Sequence, residues 1–407
     1  MSYRAVDRRS RMTPVERRAT ACLAGVSALR MLGLFVVLPV LALYAATLPG
    51  GSDPRVVGLA LGSYGLAQAI LQVPFGWASD RYGRKRAIAA GLVVFAAGSF
   101  LSAAASDATW LVVGRALQGA GAVSAAVMAL LADLTRDEVR TRAMAAIGIG
   151  IGATFAISLV VATPLASAIG VPGIFVATGV LALVAIAVVA RGVPDAPRPA
   201  TPHERGLSRA AIANPQLLRL DFGIFALHAI LMALFVEVPF ALRDAGLAPA
   251  SHWQVYLPVL VASVLVVLPL FRVADRPGRG KRVMTAAIAT LAVAMTILAF
   301  AGRALVPIVA ALFVFFCAFT LLEASLPSMV SRFAPRGSRG SAIGVFSAMQ
   351  YLGMFVGGAA GGLLLKYAGP PAVYGAGAAL ALTWLVASAT MGEPPAAAES
   401  SLSMGRT

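Results

Sequence analysis

The chain has 407 residues, of which 59% are hydrophobic and 12% charged, and its 33 Lys and Arg against 17 Asp and Glu give a net charge of +16. Soluble domains carry about 25% charged residues, so this composition excludes a disordered chain, a small disulfide-rich domain and an ordinary soluble enzyme. The apolar residues form blocks of about 20, the length of a helix that crosses a bilayer. The basic residues lie in short segments between these blocks, which favours a membrane protein over a nucleic-acid-binding one.

Pro, Gly and charged residues separate the apolar blocks and predict an all-α membrane protein with twelve transmembrane helices. The approximate spans are 20–46, 56–79, 87–105, 109–132, 142–168, 172–190, 217–242, 252–274, 283–301, 304–330, 342–367 and 372–391. A segment rich in Pro and Arg separates the first six spans from the last six. The predicted regions are an N-terminal tail (1–18), a first six-helix bundle (19–191), a linker (192–216), a second six-helix bundle (217–391) and a C-terminal tail (392–407).

The positions of the basic residues predict the orientation of the chain. With a cytoplasmic N-terminus, 27 of the Lys and Arg lie in predicted inner segments, 4 in outer segments and 2 inside spans. Cytoplasmic segments of membrane proteins carry an excess of Lys and Arg. We therefore expect a multi-pass protein of the cell's inner (plasma) membrane, surrounded by lipid, with both termini in the cytoplasm.

The two halves of the sequence repeat each other at an offset of about 200 residues. The loop at 80–86 recurs at 275–282, Pro74 answers Pro269, and Gly170 before a proline answers Gly369. Such a repeat predicts two pseudo-symmetric bundles and is typical of transporters that work by alternating access. Transport follows from this architecture by analogy.

Three motifs resemble those of the major facilitator superfamily. Residues 76–86 (GWASDRYGRKR) are similar to the superfamily's loop between the second and third spans. Residues 111–121 (LVVGRALQGAG) and 32–40 (LGLFVVLPV) resemble motifs of its proton-coupled drug antiporters. Residues 29–33 and 228–239 look most like the YajR-type branch. The resemblance implies the fold of this superfamily and a drug–proton antiport activity.

Two features depart from these patterns. The fifth span lacks the Gly-Pro and following Gly pair of the antiporters, and 16 residues follow Met391 where the YajR type carries a soluble C-terminal domain. We therefore expect no regulation through such a domain.

The resemblance implies that the second-to-third loop is a conformational latch on the inner face. Gly83 permits a tight turn, and the basic residues can pair with carboxylates and helix ends. Asp133 is a predicted partner for Arg81 or Arg84. The alternative is that these charges only set the topology. The predicted latch residues are Gly76, Asp80, Arg81, Gly83, Arg84, Lys85, Arg86 and Asp133.

Five ionisable residues inside spans are candidates for proton coupling or substrate binding: Arg30, Arg115, His228, Glu237 and Glu323. Ionisable groups in a membrane are costly and mark functional sites. The acids could carry protons or bind a cationic substrate. Arg115 could change the pKa of a carboxyl group or contact an anionic substrate, and Arg30 could line the cavity or brace the inner gate. His228 and Glu237 are nine residues apart, which places them on opposite helix faces. The alternative for each residue is a structural hydrogen-bonding role.

A polar stripe on the second span, together with one residue of the fourth span, is predicted to line a cavity: Tyr64, Gln68, Gln72 and Gln118. Hydrogen bonding between helices is the alternative.

The sequence predicts a proton-coupled transporter that exports a small hydrophobic or cationic organic compound. It contains no metal-ligand spacing and no phosphate-binding loop, so we expect no enzyme activity, no cofactor and no nucleic-acid partner, and we expect a monomer. One alternative is a proton-coupled importer of a sugar or organic acid, in which Arg30 and Arg115 would bind an anionic group. The other is a membrane sensor or scaffold that does not transport.

Overall fold

The computed structural model describes residues 12–195, 214–274, 276, 278–335 and 339–392, and it contains helices and turns but no strand over these ranges. Contacts divide the chain into two compact units, Met1–Pro202 and His203–Thr407. The helices of the first unit are α1 (Pro14–Phe35), α2 (Leu38–Thr47), α3 (Pro54–Tyr82), α4 (Arg84–Ala103), α5 (Ala108–Ala120), α6 (Ser124–Asp133) and α7 (Asp137–Gly192). Those of the second unit are α8 (Pro215–Asp244), α9 (Trp253–Ala274), α10 (Gly280–Phe300), α11 (Leu305–Phe333), α12 (Arg339–Ala368) and α13 (Pro370–Ala389).

Eleven helical segments in the described ranges are long and apolar enough to cross a membrane. Many large apolar side chains point outward, among them Phe300 (87% exposed) and Val306 (79% exposed). In a water-soluble protein such exposure would be unfavourable, whereas a surface that faces lipid requires it. The predicted membrane protein is therefore confirmed at the level of its helices.

The predicted first span is two helices, α1 and α2. Thr13 and Glu16 form a capping box and Pro14 occupies the first turn, so α1 begins inside the segment predicted as the tail 1–18. The helix ends at Phe35 because Pro39 lacks an N–H and its ring would clash with the carbonyl of residue 35. Hydropathy did not reveal this start, because the first turn of α1 is polar.

The predicted fourth span is also interrupted, between α5 and α6. Asp107 caps α5 as its side chain accepts hydrogen bonds from the backbone N–H groups of Thr109 and Trp110 at 2.9 and 3.0 Å. The helix stops before Gly121, where a Cβ would lie 2.4 Å from the carbonyl oxygen of Gly91. Gly91 and Gly121 thus allow α4 and the end of α5 to pack closely. Glycine is also a poor helix former, so the helix does not continue through Gly121.

The predicted fifth and sixth spans form one helical segment, α7, with a sharp kink. Its 56 residues would extend about 84 Å, far more than the roughly 30 Å of a bilayer core. Gly170 interrupts it with φ 71° and ψ 166°, and Gly369 at the equivalent place in the second half has φ 76° and ψ −179°. This conformation is essentially restricted to glycine. The α7 segment therefore has two arms, as the repeat predicted, and over the described residues each unit has six segments long enough to cross a membrane.

Helix α12 packs on α8 through a row of glycines. A Cβ at Gly353 would lie 2.3 Å from the carbonyl oxygen of Phe225, and one at Gly357 would lie 2.1 Å from that of Ala229. Small residues allow this approach between backbones in membrane helices. This packing fixes the position of α12 along the axis of α8.

Candidate functional site

Arg30 of α1 joins three helices of the first unit. Its guanidinium donates to Tyr64 Oη at 3.0 Å, to Gln68 Oε1 at 3.1 Å and to Ser124 Oγ. Gln68 in turn donates to Gln72 Oε1 at 3.5 Å. Arg30 is 3% exposed and also lines a pocket with Ser27 and Ser124. The predicted polar stripe on the second span is therefore bonded to a predicted site arginine.

Arg115 of α5 is completely buried in the same unit. It donates to Gln118 Oε1, and Gln118 donates to Ser99 Oγ of α4 at 2.9 Å. Its Cζ atom lies 5.1 Å from the centre of the Tyr64 ring, within the range of a cation–π contact. Its Nε and Nη2 have no hydrogen-bond partner among the described residues. Tyr64 therefore contacts both arginines, through its hydroxyl and through its ring face.

The candidate latch contains one ion pair that the sequence predicted and two that it did not. Arg84 pairs with Asp80, its Nε lies 3.0 Å from Asp133 Oδ2, and its Nη1 donates to Ser79 Oγ at 3.0 Å. Lys85 Nζ lies 2.8 Å from Asp195 Oδ1. The pairing of Asp133 with Arg84 is thus confirmed, whereas a latch function stays a prediction.

The other residues of the candidate latch make different contacts. Arg81 lies over the ring of Trp77, with its Cζ 5.5 Å from the ring centre, instead of pairing with Asp133. Gly83 adopts φ 100° between α3 and α4, Gly76 lies within α3 and Arg86 is exposed. The equivalent residues Asp275 and Pro277 of the second half lie outside the described residues.

Sequence reasoning missed a further ion pair of the first unit, between Glu16 and Arg136. Glu16 Oε1 lies 2.8 Å from Arg136 Nε, and the backbone N–H of Arg136 also donates to this carboxylate at 3.0 Å. The hydrogen bonds from Arg136 to Glu16 raise the pKa of the Arg136 guanidinium above its usual value. The pair joins the start of α1 to the segment before α7, and a capping box at Thr13 was its only local signal.

In the second unit, Gln350 of α12 lies between His228 of α8 and Glu323 of α11. Gln350 Nε2 lies 2.8 Å from His228 Nε2 and 3.4 Å from Glu323 Oε1, and Glu323 Oε2 lies 3.7 Å from His228 Nε2. His228 Nδ1 lies 3.2 Å from the carbonyl oxygen of Ile224. Because a carbonyl only accepts, Nδ1 carries the proton and the neutral ring accepts from Gln350 at Nε2.

Two of the predicted site residues therefore meet in this cluster, and the sequence did not single out Gln350. Its only sequence signal is that it is a polar residue in an apolar span. Glu323 Oε2 is buried and has no hydrogen-bond partner within the described ranges, although the side chain as a whole is 36% exposed. His228 contacts Glu323 rather than Glu237, in agreement with the nine-residue spacing on α8.

Glu237 is buried nearer the other end of α8, at 5% exposure. Tyr374 of α13 and Tyr256 of α9 lie within electrostatic range of this part of the unit. Both tyrosine hydroxyls are buried and have no hydrogen-bond partner among the residues described. Asp221, a buried acid in the first part of α8, was also missed by the sequence reasoning, and its Oδ1 has no such partner either.

The predicted site residues therefore form separate clusters in the two units. Arg30, Arg115, Tyr64, Gln68, Gln72 and Gln118 belong to the first unit, and His228, Glu237 and Glu323 to the second. Across the described side chains, no group of three or more His, Cys, Asp and Glu could hold a metal ion.

Comparison with known proteins identifies the family. The chain is 44% identical to the inner membrane transport protein YajR of Escherichia coli over 95% of its own length and 86% of that protein. It is 26% identical to the multidrug resistance protein MdtH of Aeromonas hydrophila over 84% of the chain and 86% of that protein. Its fold is similar to the crystal structure of a D-xylose–proton symporter, with a TM-score of 0.72, 15% identity and coverage of 92% and 98% of the two chains.

The sequence model of the Major Facilitator Superfamily matches residues 23–268 and 220–406, which together span nearly the whole chain. The match agrees with the motifs at 76–86 and 111–121 and with the repeated six-segment units. The chain therefore belongs to the major facilitator superfamily of membrane transporters.

Proposed function

We propose that the chain is a proton-coupled secondary transporter of the inner membrane that exports a small hydrophobic or cationic organic compound by alternating access. The observation that carries this proposal is the cluster of His228, Gln350 and Glu323 within the second unit. A carboxyl and an imidazole in contact inside a bilayer can each exist with or without a proton. Such pairs in membrane helices are typical of proton relays in transporters.

The partners of the charged residues favour a cationic or neutral substrate over an anionic one. Arg30 already donates to three protein acceptors, and Arg115 is fully buried against Tyr64 and Gln118. Arg115 keeps Nε and Nη2 without a hydrogen-bond partner among the described residues, but it is completely buried, so an anion could not reach these donors in this conformation. Glu323, in contrast, has a partly exposed side chain and a carboxyl oxygen to which no described residue hydrogen-bonds. A substrate cation and a proton could therefore compete for this carboxylate.

The relatives support the same direction. YajR is named an inner membrane transport protein and MdtH a multidrug resistance protein. For the present chain an export function and a location in the inner membrane are proposals, which these names make reasonable.

The test is substrate-triggered proton movement in reconstituted vesicles. The protein is inserted into vesicles that contain a pH-sensitive dye, a proton gradient is imposed, and cationic and neutral compounds are added in turn. We expect at least one compound to change the proton flux. The change should fall at least tenfold in Glu323→Gln and in His228→Asn, because each substitution removes a group that can gain and lose a proton.

Glu138→Gln is the matched control, since Glu138 is exposed at the start of α7 and lies outside the cluster. It should retain the wild-type flux. A flux that survives in Glu323→Gln would contradict the assigned proton site. The absence of any response, with folded protein and the complete panel, would contradict proton-coupled export, and a panel of anions and sugars would then test the importer.

A further inference from the structure

A groove opens between the end of α9 and the start of α10 in the second unit. It has a volume of about 320 Å³ and is lined by Val273 of α9 and by Arg279, Arg282, Val283 and Ala286 at the start of α10. The side chains of both arginines are exposed. Volumes of this size are typical of sites that bind small molecules. The groove therefore combines two cationic groups with apolar walls.

The two arginines are placed to bind the same anion. Arg279 is the residue before α10 and Arg282 follows three positions later, a spacing that places side chains about one helical turn apart. A guanidinium presents several N–H donors in a fixed fork that matches the oxygens of a phosphate group. The start of a helix also favours an anion. Two guanidinium groups at this spacing can therefore hold one phosphate between them.

The two halves of the repeat differ in how these arginines are neutralised. Arg84, which corresponds to Arg279, pairs with two aspartates of its own unit. Among the described residues, the side chains of Arg279 and Arg282 form no ion pair and no hydrogen bond. The last turn of α11, which packs on both α9 and α10, contains Arg332 and no acid. The described part of the second unit thus supplies no counter-ion to the groove.

The sequence around the groove has a surplus of positive charge. Residues 272–282 contain five Lys and Arg and one acid, Asp275. Asp275 lies outside the described residues, but one carboxylate can neutralise only one of the five basic groups. Lys281 is directed elsewhere, since its Nζ donates to the carbonyl oxygen of Ala389 at 2.9 Å. An anion in the groove would therefore reduce the repulsion among the arginines.

The groove lies at the end of an apolar stripe on the outward face of α9. Val261, Leu265 and Leu268 of this stripe are each at least 50% exposed. Their spacing of four and three residues places them on one face of the helix, and such exposure suits contact with lipid rather than with water. The predicted topology places this end of α9 on the inner side of the membrane. Basic pockets between helices on that side are typical sites for anionic lipid headgroups.

We infer that this groove binds the phosphate headgroup of an anionic phospholipid from the inner leaflet. Arg279 and Arg282 hold the phosphate, while Val273 and Val283 contact the glycerol and the first carbons of the acyl chains. The chains then run along the exposed face of α9. A soluble phosphate ester would use the arginines but would gain nothing from the apolar residues beside them, so the occupant is a lipid. The inference does not depend on the proposed function.

The experiment measures lipid binding to the full-length protein by native mass spectrometry. Delipidated protein in detergent is titrated with phosphatidylglycerol, which is anionic, and with phosphatidylethanolamine, which has no net charge. We expect the first molecule of phosphatidylglycerol to bind about tenfold more tightly than phosphatidylethanolamine, or better. Arg279→Gln/Arg282→Gln should weaken the binding of phosphatidylglycerol by about tenfold or more, because each basic residue near an anionic lipid contributes a factor of about five.

Two further variants separate the geometry of the groove from its net charge. Arg279→Lys/Arg282→Lys keeps both charges but loses the guanidinium forks, and it should weaken the binding of phosphatidylglycerol about threefold. Ala286→Phe keeps both arginines and fills part of the groove, and it should weaken the binding by a similar factor. Ala286→Phe also tests the inference if the glutamine pair does not fold.

Arg17→Gln/Arg191→Gln is the matched control. It removes two exposed basic residues of the first unit, at the start of α1 and the end of α7, and both lie outside the groove. This variant should bind the first molecule of phosphatidylglycerol like the wild type.

Three results would overturn the inference. The first is equal binding of phosphatidylglycerol by the wild type and the groove variants, and the second is an equal loss in the control. The third is displacement of the lipid by an equal concentration of glycerol 3-phosphate, because the groove would then be a site for soluble phosphate esters. The titration uses no transport substrate, so its result is separate from the test of proton-coupled export.

Discussion

Two arginines within the first unit contact the same tyrosine through different parts of its side chain. The Tyr64 hydroxyl accepts from Arg30, and its ring lies beneath Arg115. All three side chains are at most 3% exposed. These contacts offset part of the cost of burying two guanidinium groups in an apolar bundle, because one group donates a hydrogen bond to the hydroxyl and the other makes a cation–π contact with the ring.

A pair of substitutions at Tyr64 should separate the two contacts. Tyr64→Phe removes the acceptor of Arg30 and keeps the ring, and it should lower the free energy of unfolding by about 1.5–3 kcal/mol, the range for hydrogen bonds to charged groups. Tyr64→Leu also removes the ring beneath Arg115 and should cost about 2 kcal/mol more. The free energies are measured by SDS titration of the protein in detergent micelles.

Tyr82→Phe is the matched control for this series. Tyr82 is 59% exposed at the end of α3, so loss of its hydroxyl should change stability by less than about 0.5 kcal/mol. Equal stability of wild type and Tyr64→Phe would show that the Arg30 hydrogen bond contributes nothing. Equal stability of the two Tyr64 variants would show that the contact between Arg115 and the Tyr64 ring contributes nothing.

The sequence predicted which residues are unusual, but it could not predict most of their partners. Charged and polar residues in apolar spans are visible in the sequence because their cost in hydrocarbon is high. Their contacts join residues far apart in the chain, such as Arg30 with Ser124 and His228 with Gln350, 94 and 122 positions away. No local pattern encodes these distances. Arg84 with Asp133 is the exception, since both lie at predicted inner ends of spans.

At the scale of the helices, α12 is positioned by glycines that leave no room for a side chain. A Cβ at Gly357 would lie 2.1 Å from the Ala229 carbonyl oxygen, whereas one at Gly344 in the same helix would meet nothing within 4 Å. Both glycines therefore lie within the same helix, but only Gly357 packs closely against a neighbouring helix. The structure identifies α8 as the partner of this row of glycines.

We expect opposite effects from alanine at these two positions. Gly357→Ala should lower the free energy of unfolding by about 1–3 kcal/mol, because the helices must separate to admit the methyl group. Gly344→Ala should raise it by about 0.5–1 kcal/mol, because alanine favours the helix. SDS titration measures both. A loss of stability in Gly344→Ala comparable with that in Gly357→Ala would contradict a role for close packing.

The helix boundaries show what hydropathy can and cannot predict. The breaks near residues 106 and 302 were predicted from a polar pair and a Gly-Arg pair, and the structure has them. The interruptions of the first and fourth spans were missed, because apolar residues continue across them. A proline clash and a contact between glycine backbones cause these interruptions, and neither changes the mean hydropathy of the segment.

At the scale of the whole molecule, the number of crossings decides on which side of the membrane the chain ends. In the part of the chain that the structure describes, eleven helical segments are long enough to cross, but α7 is nearly three times as long as a bilayer requires. If it crosses twice, with Gly170 at the outer turn, the chain crosses twelve times and both termini share a side. If it crossed once, the C-terminus would be outside and the excess of Lys and Arg would change sides after residue 192.

Fusion proteins can distinguish these topologies. Alkaline phosphatase attached after Gly170 should be active, because it folds only outside the cytoplasm. Green fluorescent protein attached after Thr407 should fluoresce, because this protein folds in the cytoplasm but not after export through the general secretion route. The exchanged fusions, with the fluorescent protein after Gly170 and the phosphatase after Thr407, are the controls and should be inactive. An active phosphatase at the C-terminus would exclude twelve crossings, and an inactive one after Gly170 would exclude an outer turn there.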